Sequence, residues 1–165
     1  FKKAAPPSVL NQEEYEQLVE AIDQKQLRGR RDAMLYRLLF CTGMRKGAAQ
    51  SLKWSQIEGR FVRVESKGKE HLIYLPEPTV MALKGWRSKC PSETWVFPSL
   101  RPGTDRPIDE HEVSRRLRIY GRLAGIPKRI YPHLLRHSHA VALVEAGVSI
   151  DVVSARFRTV DSIST

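Results

Sequence analysis

Apolar residues recur at helical spacing through the first quarter of the chain. Tyr15, Leu18, Val19 and Ile22 form one stripe, which predicts a helix within residues 8–23. Asn11 is placed to cap it, with Glu14 completing a capping box. Met34, Leu35, Leu38 and Leu39 mark a second helix over 31–41, which should stop at Thr42-Gly43 because glycine readily closes a helix. A short third helix over 46–52 is expected to follow. The period then changes. Phe61, Val62 and Val64 predict one strand, Leu72 to Leu75 predict another, and Ser66-Lys67-Gly68-Lys69 reads as the turn of a hairpin. Pro76 and Pro78 end the second strand and open a helix to about Trp86. Residues 91–107, rich in Pro, Ser and Gly, read as a loop anchored by Trp95-Val96-Phe97.

Helical spacing returns with Val113, Leu117, Tyr120 and Leu123, behind a cap at Asp109 paired with Glu112 and ahead of a stop at Gly125. A further helix is expected over 133–146, entered after Pro132 and closed by Gly147, and a last short one over 149–157. The fold class is therefore mainly α with one small antiparallel β-sheet, an α+β domain.

At 165 residues the chain suits a single domain that buries roughly 70% of its unfolded surface. Its 41% hydrophobic and 28% charged residues match a globular composition. The 28 Lys and Arg against 18 Asp and Glu give a net charge of +10, which favours a polyanionic partner. The excess is concentrated. From Val113 to Ser149 stand Arg115, Arg116, Arg118, Arg122, Lys128, Arg129 and Arg136, opposed only by Glu145. The two cysteines, Cys41 and Cys90, build no disulfide framework and fit a reducing cytosol. No stretch is long and apolar enough to span a bilayer.

Candidate chemistry sits in Pro132-His133-Leu134-Leu135-Arg136-His137-Ser138. His133 and Arg136 stand at i and i+3, so a helix projects them side by side. Arg136 near a helix start gains nothing from the macrodipole, which favours cations at the other end. Arg45, after the break at Gly43, supplies a second arginine. Arginine is permanently charged, and its planar fork matches two phosphate oxygens. Lys67 sits at the hairpin turn, where it is either an exposed turn lysine or a proton donor tuned by neighbouring cations, with Lys69 of the same type nearby. His133 and His137 share the i, i+4 spacing of a zinc motif. However, Leu134-Leu135 replaces the glutamate such a motif needs and no third ligand is evident, so no metal site is expected. His137 itself suits either a packed position or a contact to a polyanion.

Gly43-Met44-Arg45 after a helix, Leu52-Lys53-Trp54, Lys67 in a hairpin, His133-x-x-Arg136-His137-Ser138 and Ala146-Gly147-Val148 occur in this order. That ordered set resembles the catalytic domain of the tyrosine recombinases, the phage integrase family, from about Val9 to Thr165. The resemblance implies a fold like that of type IB topoisomerases. It also implies site-specific DNA recombination or integration by strand cleavage and rejoining through a 3′-phosphotyrosyl intermediate. By that resemblance Arg45 and Arg136 grip the phosphate, His133 donates to it, and Lys67 protonates the leaving 5′ oxygen. Lys69, Arg115, Arg116, Arg129 and His137 are the candidate DNA contacts. The partners implied are double-stranded DNA and further copies of the protein, as a tetramer on DNA. No cofactor is needed, and the expected location is the prokaryotic cytoplasm, at the nucleoid.

Some positions depart from the family pattern. Ala48 stands where an acid usually follows the first arginine, and Thr159-Val160 where a further histidine or tryptophan is usual. None of Tyr15, Tyr36, Tyr74, Tyr120 and Tyr131 stands where the family carries its nucleophile. The resulting expectation is a linker remnant over residues 1–8, left from an N-terminal DNA-binding domain, and a catalytic domain over 9–165 that stops short of the attacking tyrosine. Alternatives are a DNA-binding regulator or degenerate paralogue that keeps the fold without catalysis, and an RNA-binding helical domain. For the last, no aromatic stacking platform speaks.

Overall fold

The computed structural model describes residues 9–66 and 68–153. Its central element is α2 (Leu27–Thr42), packed by α3 (Lys46–Gln50), α4 (Glu77–Arg87), α5 (Glu110–Leu123) and α6 (Pro132–Glu145). Leu35, Tyr36, Leu38 and Leu39 of α2 are wholly buried, and burial extends around the helix to Arg31 and Asp32. Neighbours on several sides explain why α2 begins before the apolar stripe: tertiary contact holds its arginine-rich first turns. Gly29 is needed there, since a Cβ would stand 1.9 Å from the Asp23 carbonyl oxygen.

Ahead of it, α1 (Gln12–Glu20) carries the expected capping box. Asn11 Oδ1 accepts from the Glu14 amide at 2.8 Å, and Glu14 Oε1 accepts from the Asn11 amide at 3.2 Å. Three antiparallel strands, β1 (Ile57–Glu58), β2 (Phe61–Ser66) and β3 (Lys69–Tyr74), lie in that order in one sheet. The pair Val62 and Ile73 faces the core, whereas Phe61 and Tyr74 pair on the open face. β1 is too short for a periodicity signal and was not expected. Trp86 Nε1 donates to the Val96 carbonyl at 2.7 Å, and Phe97 is fully buried, so residues 95–97 do anchor the long loop.

Two caps differ from expectation. Asp109 caps α5, but its side chain accepts from His111 at 2.8 Å, while the Glu112 carboxylate turns to Arg115. The short third helix ends at Gln50, where Leu52 drops into the core. Residues 150–153 are helical behind Ser149, whose Oγ accepts from the Val152 amide at 3.3 Å; the rest of the expected last helix lies outside the described residues.

The chain's start is stitched to its later half. Leu10 donates its amide to Ser138 Oγ at 2.7 Å, and Lys128 Nζ donates to the Val9 carbonyl and to Glu14, both at 2.9 Å. Tyr15 stacks on Phe40 with centroids 4.3 Å apart, but its buried hydroxyl has no hydrogen-bond partner among the described residues. Burial holds that phenol protonated, far above its ordinary range. Tyr15→Phe deletes an unsatisfied polar group and should stabilise the fold by ~1 kcal/mol, read as a higher urea midpoint at unchanged slope. A lower midpoint would show that the hydroxyl has a use.

Candidate functional site

The break between α2 and α3 aims the first arginine. Gly43 takes a left-handed φ of 72°, and Thr42 Oγ1 both donates to the Leu38 carbonyl at 2.6 Å and accepts from the Met44 amide at 3.2 Å. Met44 is fully buried, so it plugs the turn, and Arg45 emerges with extended backbone at the start of α3. The second arginine comes from α6, entered through extended Tyr131 with Pro132 in the first turn. Ser138, two residues past Arg136, is a structural stitch: its hydroxyl donates to Leu134 at 2.6 Å and accepts from Leu10.

Arg45, His133 and Arg136 line one cavity of about 550 Å³, walled also by Tyr131 and by Lys46, Glu110 and Ser114. Arg45 thus converges on the His133–Arg136 pair from far away in the sequence. Arg136 is only 3% exposed. Its pKa is brought down to about 10 by burial first and by the Arg45 charge second. Burial also lowers His133, followed by the charges of Arg136, His137 and Arg45. The cavity therefore holds a neutral imidazole beside guanidinium groups in a positive field at neutral pH, an arrangement suited to an anion.

Because its folded pKa lies below the ordinary 6.5, His133 costs stability as pH falls through that value, when the unfolded chain takes up the proton first. A bound phosphate reverses the field. Adding inorganic phosphate should raise the His133 pKa, read by NMR titration of its ring protons; a value that does not move removes anion binding from the cavity.

Lys46 and Glu110 are functional candidates that sequence reasoning missed. Lys46 Nζ lies 3.4 Å from Ser114 Oγ, and its adjacency to Arg45 was the only available signal. Ala48 packs against the core, and the cavity's carboxylate comes instead from α5. Glu110 Oε1 lies 3.0 Å from where a Cβ on Gly47 would stand, a closeness that no spacing in the sequence announces.

The expected polyanion contacts scatter. Lys69 is exposed at the start of β3, while Lys67 lies outside the described residues. Arg115 pairs with Glu112 and faces another hollow, shared with Arg28, Arg101 and Arg106, that meets the cavity only at Glu110. Arg116 corrects the expectation of a surface contact, since its side chain is 12% exposed and turns inward, 3.4 Å from Asp32 and 2.7 Å from the Tyr120 hydroxyl. Arg129 lies over the Tyr131 ring at 5.8 Å, in a hollow of about 400 Å³ adjoining the cavity. His137 is half-buried and acts on His133 through its charge. Among the described residues no three His, Cys, Asp or Glu side chains are grouped to hold a metal ion, and no helix is long and apolar enough to cross a membrane.

Comparison with known proteins adds to this geometry. Residues 8–158 match the phage integrase family. The tyrosine recombinase XerA of Pyrococcus furiosus is 32% identical over 152 residues, covering 89% of this chain and 51% of the relative. XerD of Staphylococcus haemolyticus is 32% identical over 154 residues, covering 89% and 52%. The chain spans about half the length of the curated relatives it matches. Among solved structures, XerA recombinase superposes with a TM-score of 0.79 at 24% identity, over 100% of this chain and 61% of that one. The lambda integrase catalytic core gives 0.67 at 21% identity, over 84% and 88%.

Proposed function

Since the chain belongs to the phage integrase family, we propose that it serves site-specific DNA recombination, holding the phosphodiester at which a strand is cut and rejoined. The observation that carries this reading is the gathering of Arg45, His133 and Arg136 around one cavity. Attack on a phosphodiester develops charge on its non-bridging oxygens, and fixed donors aimed there lower the barrier most. In this proposal Arg45 and Arg136 clamp those oxygens, and neutral His133 donates one ring N–H to the same phosphate. Lys67 is proposed to protonate the leaving 5′ oxygen. Lys46, anchored near Ser114, adds positive charge at the rim. The attacking tyrosine is assigned to none of the five in residues 1–165.

Duplex DNA is the proposed substrate, with copies of the protein assembling on it. Similar proteins have been crystallised in that setting: XerH bound to its difH substrate, and a lambda integrase tetramer bound to a Holliday junction. Work on chromosomal DNA would place the protein in a prokaryotic cytoplasm, at the nucleoid.

Duplex binding should weaken linearly on a log–log plot against salt, each phosphate contact contributing ~0.9 to the slope. Fluorescence anisotropy with a labelled duplex measures it. A flat response would remove backbone contacts, and the proposal with them.

A further inference from the structure

Beside the Arg45–Arg136 cavity lies the hollow of about 400 Å³, walled by Ser114 and Arg118 of α5 and by Arg129, Ile130 and Tyr131 of the segment entering α6. Ser114 and Tyr131 line both spaces, so the two share a wall. The hollow is built into the fold. Ile130 is 2% exposed and seats its side chain against Gly121, where a Cβ would come within 3.3 Å. That close approach lays residues 126–131 along α5, with Arg129 and Tyr131 beside Ser114 and Arg118.

Some cations among the described residues are held by carboxylates, and others are not. Arg60, Arg63, Arg115, Arg116 and Lys128 all have a carboxylate partner. Arg118 and Arg129 have none among the described residues; both are exposed, and Arg129 lies only over the Tyr131 ring. Two guanidinium groups without a counter-charge, opening on one hollow, make an anion site.

We infer that this hollow is a second phosphate subsite, taking the phosphodiester next to the one held by Arg45 and Arg136 on the same strand. The inference rests on the phosphodiester reading of the first cavity. The Tyr131 ring stands between the two phosphates and offers an apolar surface to the intervening deoxyribose. The work of the subsite is register: with two neighbouring phosphates seated, the strand cannot slide by one nucleotide without vacating one of them.

Short single strands test it. The full chain is titrated with dTpdT, which has one phosphodiester, and with dTpdTpdT, which has two, while His133 and Tyr131 ring signals are followed by NMR. The trinucleotide should bind about tenfold more tightly. The double variant Arg118→Ala/Arg129→Ala should lose that advantage and leave dTpdT binding unchanged; since both side chains are exposed, the fold should be retained. Arg101→Ala/Arg106→Ala, in the other hollow, removes the same two charges and should keep the advantage. A double variant that still prefers the trinucleotide overturns the subsite while leaving the first cavity standing. If dTpdT leaves the His133 signals of the unaltered protein unmoved, the first-cavity reading fails, and this inference with it.

Discussion

Replacing Arg136 by Ala should abolish the stabilisation that phosphate gives this protein. Arg136 is a buried cation facing a second cation, and both burial and Arg45 push its pKa down to about 10. The sign follows. A base with a lowered folded pKa carries its full cost below that pKa, so near neutrality the fold bears a charge it would rather shed, relieved only as pH rises past about 10. An anion in the cavity relieves the same cost without deprotonation. Phosphate should therefore raise Tm as any ligand of the native state does, and more so as its concentration passes Kd. In R136A that rise should vanish, and in R136K only part should remain, because an ammonium lacks the planar fork. Under the proposed function, R136A should cost ~10²–10³-fold in the rate of DNA strand cleavage, the scale of losing one fixed donor. A phosphate-induced rise in R136A equal to that of the unaltered protein would take the arginine out of the site.

The second large effect is on stability. Asp32 is wholly buried and collects Arg31 at 2.9 Å, the Tyr120 hydroxyl at 2.6 Å and Arg116 at 3.4 Å. Arg31 also donates to the Pro98 carbonyl at 3.0 Å, which ties the long loop to α2. Asp32→Ala leaves two arginines in the interior without their counter-charge and should cost ~3–5 kcal/mol in urea unfolding. Tyr120→Phe removes one donor from the same carboxylate and should cost ~1–2 kcal/mol. Burial, then the Asp32 charge, raises the Tyr120 pKa to about 12, so the phenol remains a donor throughout the neutral range. A loss below ~1 kcal/mol for Asp32→Ala would mean the arginines find other partners.

Much of the site was legible because its parts are local. Glycine ends α2 just before Arg45, and the i, i+3 spacing on α6 sets His133 beside Arg136. What the sequence left open was how each helix is rotated about its axis. Periodicity separates Arg115, Arg116 and Arg118 by about 100° steps, yet it does not say which faces the site. The fold turns Arg116 to Asp32, a partner on α2, and leaves Arg118 beside the cavity. Glu110 escaped notice for the same reason, since its neighbour Gly47 belongs to another helix. The early start of α2 and the two-residue β1 depend on tertiary contacts that no local pattern records.

The stitch between Leu10 and Ser138 has a mechanical consequence. Ser138 sits about half a helical turn beyond Arg136, so a pull on Leu10 passes directly to the helix that carries Arg136. Slackening that tether by Ser138→Ala would loosen the seat of Arg136 from a distance without touching any charged group.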